Sequence, residues 1–173
     1  MSDDWCLETE RLLLRRVTLD DAGLMLAIWN DPAFIHHVGD RGIHTTGQAA
    51  TALTEGALKL YAEYGYGPYC MTRKSDGVRV GICGLFRREN LDDPDIGFAV
   101  LPLYCRLGLA EEAAKAVVAH ARDDLGIRYL TAIVSPGNTA SIRLIKKLGL
   151  QFDRGIRMPG EAQEISLYGI KLN

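Results

Sequence analysis

Residues 95–124 read DIGFAVLPLYCRLGLAEEAAKAVVAHARDD, and this stretch decides the fold. Ile96 to Leu101 is a short apolar run that predicts a strand, and Pro102 marks the turn that ends it. A compact segment, Tyr104 to Ala110, leads into a long helix. Its apolar residues fall at Ala110, Ala113, Ala114, Val117, Val118, Ala121 and Leu125, the 3.6-residue stripe of a helix lying on a sheet. Gly108 permits backbone conformations that a Cβ would forbid. A strand that feeds a tight turn and then a helix leaves the first amides of that helix without partners, which makes this corner a candidate site for an anion such as a phosphate.

Beyond the helix, Tyr129 to Val134 reads as a buried strand. A strand, a long helix and a second strand in that order require a parallel pair with a right-handed crossover. Asn138 then caps a helix with Ile142, Ile145 and Leu148 inward, Gly149 stops it, and Leu150–Phe152 and Glu164–Ile170 supply two final strands. Toward the N-terminus, Glu10 to Val17 reads as a first strand. Thr18 to Asp21 resembles a capping box for a helix that runs to about Asn30 with Leu24, Ala27 and Ile28 inward, and Asp31-Pro32 ends it. Phe34 to Thr46 is expected to be a loop with one helical turn, and Thr46 to cap a helix that reaches about Tyr64. Tyr69–Arg73 and Val78–Phe86 flank Ser75-Asp76-Gly77 as a hairpin, and Gly81 and Gly84 within it suggest a bulge or a close neighbour. The sum is an α/β chain: a mixed sheet, mostly antiparallel with a central parallel pair, and helices on both faces.

At 173 residues the chain suits one domain spanning 1–173, with no linker or internal repeat. A formal net charge of −2 argues against broad attraction to nucleic acid or an anionic membrane. No window approaches ~18 consecutive apolar residues, and the acidic start MSDDWCLETE lacks the basic and apolar regions of a secretory signal. Cys6, Cys70, Cys83 and Cys105 are widely spread, as free thiols in a reducing compartment would be, so a cytoplasmic protein without a structural metal is expected.

Several segments resemble the Gcn5-related N-acetyltransferases (GNAT family). Cys105-Arg106-Leu107-Gly108-Leu109-Ala110 is similar to the family's cofactor motif, with Cys105 where Gln or Arg is commonest, and Glu112-Ala113 continues it as in the branch that resembles ribosomal-protein-alanine N-acetyltransferases. Thr9-Glu10-Arg11-Leu12-Leu13-Leu14-Arg15, Asp21-Ala22 and Asp31-Pro32 match the family's opening. Asn138 to Arg143 and Lys147 to Leu150 match its Asn-x-x-Ser-Ile-Arg and Lys-x-Gly-Phe segment, with Leu150 for Phe.

The resemblance implies acetyl-CoA as cosubstrate and direct acetyl transfer to a primary amine. It assigns the amides of Leu107, Gly108, Leu109, Ala110 and Glu111 to the pyrophosphate, and the backbone of Phe98 and Val100 to the pantetheine arm. Asn138 is a helix cap that also touches the cofactor in the family. Many members use a Tyr to protonate the leaving thiolate, but that position here is Ile145, so Ser141 is the expected partner of the thiolate. Asp95 is the leading candidate for the base, with Glu89, Asp92, Asp93, Asp153, His36, His37 and His44 as alternatives. Cys105 as an acyl carrier has no adjacent base in the sequence. The acceptor site is expected around the Ile35–Thr46 loop, the helix that follows it and Tyr61–Tyr69, where Tyr61, Tyr64, Tyr66 and Tyr69 would form an aromatic wall or pack in the core, and Asp40, Glu63 and Glu161 would attract a cation. The acceptor is a protein N-terminus, or alternatively a polyamine or amino sugar. A CoA-binding module without catalysis is a third reading, and the protein is expected to be a monomer or homodimer without nucleic-acid or membrane partners.

Overall fold

A computed structural model describes residues 4–173. In chain order the elements are β1 (Cys6–Glu8), β2 (Leu12–Arg16), α1 (Ala22–Trp29), α2 (Pro32–His37), α3 (Thr46–Glu55), α4 (Ala57–Tyr64), β3 (Pro68–Arg73), β4 (Arg79–Phe86), β5 (Asp95–Val100), α5 (Leu109–Asp123), β6 (Tyr129–Val134), α6 (Thr139–Lys147), β7 (Gln151–Ile156) and β8 (Ile165–Lys171), with 3-10 turns at Leu19–Asp21 and Pro102–Tyr104. The strands form one sheet in the order β1-β2-β3-β4-β5-β6-β8-β7. Every neighbouring pair is antiparallel except β5 and β6.

Alternation along the strands sorts side chains between two faces. Arg15 and Cys70 lie opposite one another in the β2–β3 register, so Tyr69 points the other way. Arg15 holds Asp21 of the turn before α1, whereas Tyr69 approaches His120 of α5. Helices therefore cover both faces. By the same register Ile82, Ala99 and Asp95 share the α1 face, while Ile96, Phe98 and Val100 turn their side chains toward α5. The apolar stripe of α5 buries Leu109, Ala113, Ala114, Val117 and Ala121.

The glycines of β4 answer to both readings of the sequence. A Cβ on Gly84 would stand 2.2 Å from the Gly67 carbonyl, and one on Gly81 2.3 Å from that of Ala99. The β3–β4 register also shifts between Met71 and Thr72, which leaves Val80, beside Gly81, as the extra residue of a bulge in β4.

Local chemistry moves several expected boundaries. The strand expected at Glu10–Val17 is β2, and a further strand not read from the sequence, β1, precedes it and pairs with it across Thr9–Arg11. In α1 the core face is Ala22, Met25, Ile28 and Trp29, and Ala27 faces solvent. Pro32 ends α1 and also opens α2, since its missing N–H costs nothing at the first helical position. Thr45, not Thr46, caps α3, in a capping box with Gln48. The expected helix from Thr46 to Tyr64 breaks at Gly56 into α3 and α4. Helix α5 begins at Leu109, one residue before the apolar stripe suggested.

One buried carboxylate ties the N-terminal strands to α1. Asp21 is fully buried, and its oxygens accept from Arg15 Nη1 (2.8 Å) and Nη2 (2.9 Å), Arg79 Nη1 (2.7 Å) and the Thr18 amide (2.9 Å). Burial works to raise its pKa; Arg15, the Thr18 amide and Arg79 outweigh that and hold it at about 2. The stabilisation from this depressed group is complete above the unfolded value of ~3.9 and is lost as pH falls through about 2. Urea unfolding of Asp21→Asn across the acid range should show a flattened limb in that window. The variant should also lose about 3 kcal/mol at pH 7, the low end for breaking a buried pair because both guanidiniums keep some water.

Candidate active site

The central parallel pair barely pairs. The β5–β6 register holds at Asp95 and Thr131 alone, where the Thr131 amide (2.9 Å) and hydroxyl (3.0 Å) both donate to the Pro94 carbonyl. Beyond that point the strands part. Hydrogen-bond parity says which backbone groups face the gap. The Leu101 amide donates to Val80 and the Leu85 amide to Gly67, so Asp95, Gly97, Ala99 and Leu101 bond to β4. The N–H and C=O groups of Phe98 and Val100 point into the gap.

The gap leads to the start of α5. Arg106 (φ 64°) and Gly108 (φ 77°) are both left-handed, with Leu107 between them. That conformation costs a non-glycine residue about 1–2 kcal/mol, which marks Arg106 as held from outside. Gly108 is the N-cap and has no side chain to close the helix, and the first intrahelical bond runs from the Glu112 amide to the Gly108 carbonyl (3.1 Å). The amides of Leu109, Ala110 and Glu111 are left for an anion. Lys147 Nζ lies 3.3 Å from Glu111 Oε2, which brings a cation from α6 to the same turn.

Parallel strands end at the same side of a sheet, so the loop after β6 and the start of α6 lie at this side too. Asn138 caps α6 by accepting from the Ser141 amide at 3.3 Å. The Ser141 hydroxyl has no hydrogen-bond partner among the described residues. The structure thus puts Asp95 where the strands diverge and the Leu107–Glu111 amides at the far end of the gap. Asn138 and Ser141 stand at the helix that follows the partner strand.

Asp95 is 1% exposed, and its two oxygens accept from Arg88 Nε at 3.2 and 3.1 Å. Burial raises its pKa to about 6, and Arg88 only partly opposes this. Arg88 also lines an open cleft of about 540 Å³ together with Glu55, Lys59, Glu63, Tyr64, Arg87, Glu89 and Asp92. One arginine therefore joins the cleft to the point of divergence. The sequence offered a route to it, since Arg88 and Asp95 flank the connection of one hairpin.

Other candidates disperse. Glu89 and Asp92 are exposed on the cleft rim, and Asp153 is exposed on β7. His36 and His37 pack edge to face at 4.7 Å on α2, and His44 precedes α3. Of the expected aromatic wall, Tyr61, Tyr66 and Tyr69 are buried and only Tyr64 is exposed at the cleft. The Tyr61 hydroxyl donates to the Pro68 carbonyl and accepts from the Val17 amide, a core role. Asp40 caps its own turn through the Gly42 amide (2.8 Å). The Cys105 thiol donates toward the carbonyls of Val100 (3.5 Å) and Leu101 (3.6 Å), and burial and Asp31 raise its pKa, so it is a neutral thiol rather than a nucleophile. No group of three potential metal ligands occurs among the described residues. Among them, too, no helix is long and apolar enough to cross a membrane.

Known proteins resemble this chain in sequence or in fold. The uncharacterized N-acetyltransferase YoaA of Bacillus subtilis is 28% identical over 152 residues, covering 87% of this chain and 85% of its own. The structure of RimL, a ribosomal L7/L12 alpha-N-protein acetyltransferase in complex with coenzyme A, superposes with a TM-score of 0.83 at 12% identity, covering 97% of this chain and 98% of that one. The spermidine N-acetyltransferase of Vibrio cholerae in complex with CoA and spermine gives a TM-score of 0.78 at 11% identity, covering 95% and 97%. At such identities these two likenesses speak for the fold. A family model described as the acetyltransferase (GNAT) domain matches residues 11–151, most of the chain, so this protein belongs to the GNAT acetyltransferases and is an acyltransferase.

Proposed function

We propose that this acyltransferase moves an acetyl group from acetyl-CoA to a single primary amine, with a protein N-terminus as the acceptor class. One observation carries the reading: Arg88 lines the open cleft and at the same time holds Asp95 at the divergence of β5 and β6. The acceptor side and the gap meet there.

The roles follow from chemistry and position. The uncapped amides of Leu107–Glu111 suit the diphosphate of CoA, and the gap-facing groups of Phe98 and Val100 suit the amides of a pantetheine arm. Acetyl-CoA supplies an acyl group already activated as a thioester. An amine attacks it only when neutral, so Asp95, with its pKa raised to about 6, takes up the proton directly or through one water. As the C–N bond forms, a backbone N–H on the freed edge of β5 steadies the carbonyl oxygen. As the C–S bond breaks, the Ser141 hydroxyl, otherwise unpartnered, donates to the sulfur. Asn138 keeps Ser141 in place by capping its helix.

The charge of the cleft favours a monoamine. Its lining carries four carboxylates (Glu55, Glu63, Glu89 and Asp92) against three cations (Lys59, Arg87 and Arg88), a balance of −1. A polyamine would call for a larger excess of negative charge. The cleft is also open, which suits a peptide end better than a small molecule held on all sides.

Four outcomes test this. A thiol-release screen at saturating acetyl-CoA should give turnover with N-terminal peptides above that with spermidine or amino sugars; the reverse order would move the acceptor to small cations. Acetyl-CoA at a hundredfold excess over Kd should raise Tm by about 5–10 °C, and no shift would remove the cofactor. Ser141→Ala should lower kcat while leaving the Kd for CoA within twofold, and unchanged kcat would take Ser141 out of the mechanism. The pH profile of kcat/KM should rise through about pH 6, the value of Asp95. In Asp95→Asn that limb should vanish, with a loss of about a hundredfold at pH 7.5.

A further inference from the structure

We propose that Arg11 and Glu112, with Thr9, are positioning residues that set the diphosphate-binding conformation of the Arg106–Gly108 loop. This inference rests on the cofactor reading above and goes beyond it, since neither Arg11 nor Glu112 faces the gap between the strands.

The contacts come from about a hundred residues away in sequence. Arg11 Nη1 donates to the Leu107 carbonyl at 2.8 Å. Arg11 Nε and its backbone amide donate to Glu112 Oε1 (3.0 Å) and Oε2 (3.1 Å), and the Thr9 hydroxyl donates to Oε2 at 2.7 Å. The turn between β1 and β2 thereby grips the motif loop at one point and the first turn of α5 at another.

The grip acts where the loop needs holding. Leu107 stands between the left-handed Arg106 and Gly108, and the strained Arg106 has no steric reason of its own to stay there. The Leu107 carbonyl and the Gly108 amide belong to one planar trans peptide and point in opposite directions. Fixing the carbonyl on Arg11 therefore aims the Gly108 N–H away from the β1–β2 turn. A carboxylate in the first turn of a helix favours the helix dipole but repels an anionic ligand bound there. Glu112 escapes that conflict because its donors all come from Thr9 and Arg11, which take up its charge on the side turned away from the ligand.

Calorimetric Kd values for CoA and for pantetheine, which lacks the diphosphate, test the assignment together with apo Tm and amide exchange. For Arg11→Met the expectation is a CoA Kd weakened at least tenfold, a pantetheine Kd within twofold of the parent, and at least tenfold faster amide exchange in residues 106–110. Arg11→Lys cannot bridge the Leu107 carbonyl and Glu112 together and should recover less than a third of the loss. If Arg11→Met does not fold, Glu112→Gln carries the test, with a CoA Kd weakened at least threefold. Parental CoA affinity in a folded Arg11→Met, or equal losses for CoA and pantetheine, would overturn the positioning role. A parent protein that fails to bind CoA at all would instead overturn the cofactor reading.

Discussion

Two parallel strands that touch at one residue pair and then separate leave an open edge in the middle of a sheet. Backbone polar groups on such an edge need partners from outside the sheet. Here the touching point is Asp95 and Thr131, pinned by two hydrogen bonds from Thr131 to the Pro94 carbonyl. The rest of the site depends on this constraint. The edge of β5 at Phe98 and Val100 is left without a neighbouring strand. The helix that crosses from β5 to β6 opens beside it with free amides, and the helix after β6 brings in Asn138 and Ser141.

The same sheet face treats two buried carboxylates in opposite ways. Asp21 has two arginines and a backbone amide, and it is held near pH 2 as a permanent anion in the frame. Asp95 has one arginine on one edge, which does not offset its burial, and it rises to about 6. The number of donors decides which carboxylate is structural and which can exchange a proton near neutral pH. Residue type does not separate the two; Asp21 ends the turn before α1, and Asp95 opens β5.

Much of the site was legible because its parts are local. The apolar stripe of α5, the glycine before it and the Asn138 cap are set by residues within a few positions of one another, and the segments resembling the family stand in the right order. The boundary errors have equally local causes. Gly56 splits a helix whose apolar spacing runs on without a break, because apolar periodicity does not register a backbone interruption. Thr45 and Thr46 are chemically alike, and only Gln48 three places on selects Thr45. The aromatic wall failed for a different reason: spacing cannot say whether a tyrosine hydroxyl ends in a cleft or on a buried carbonyl, and Tyr61 finds Pro68.

The sequence by itself determined the parallel crossover and the glycine-led start of α5, since periodicity, turn chemistry and handedness act over short separations. Only the tertiary structure decided where β5 and β6 part, which carboxylate is paired once and which twice, and that Thr9 and Arg11 reach Glu112 and Leu107. Those outcomes depend on distances between residues far apart in the chain. A single sequence carries no measure of such distances until the sheet has been assembled.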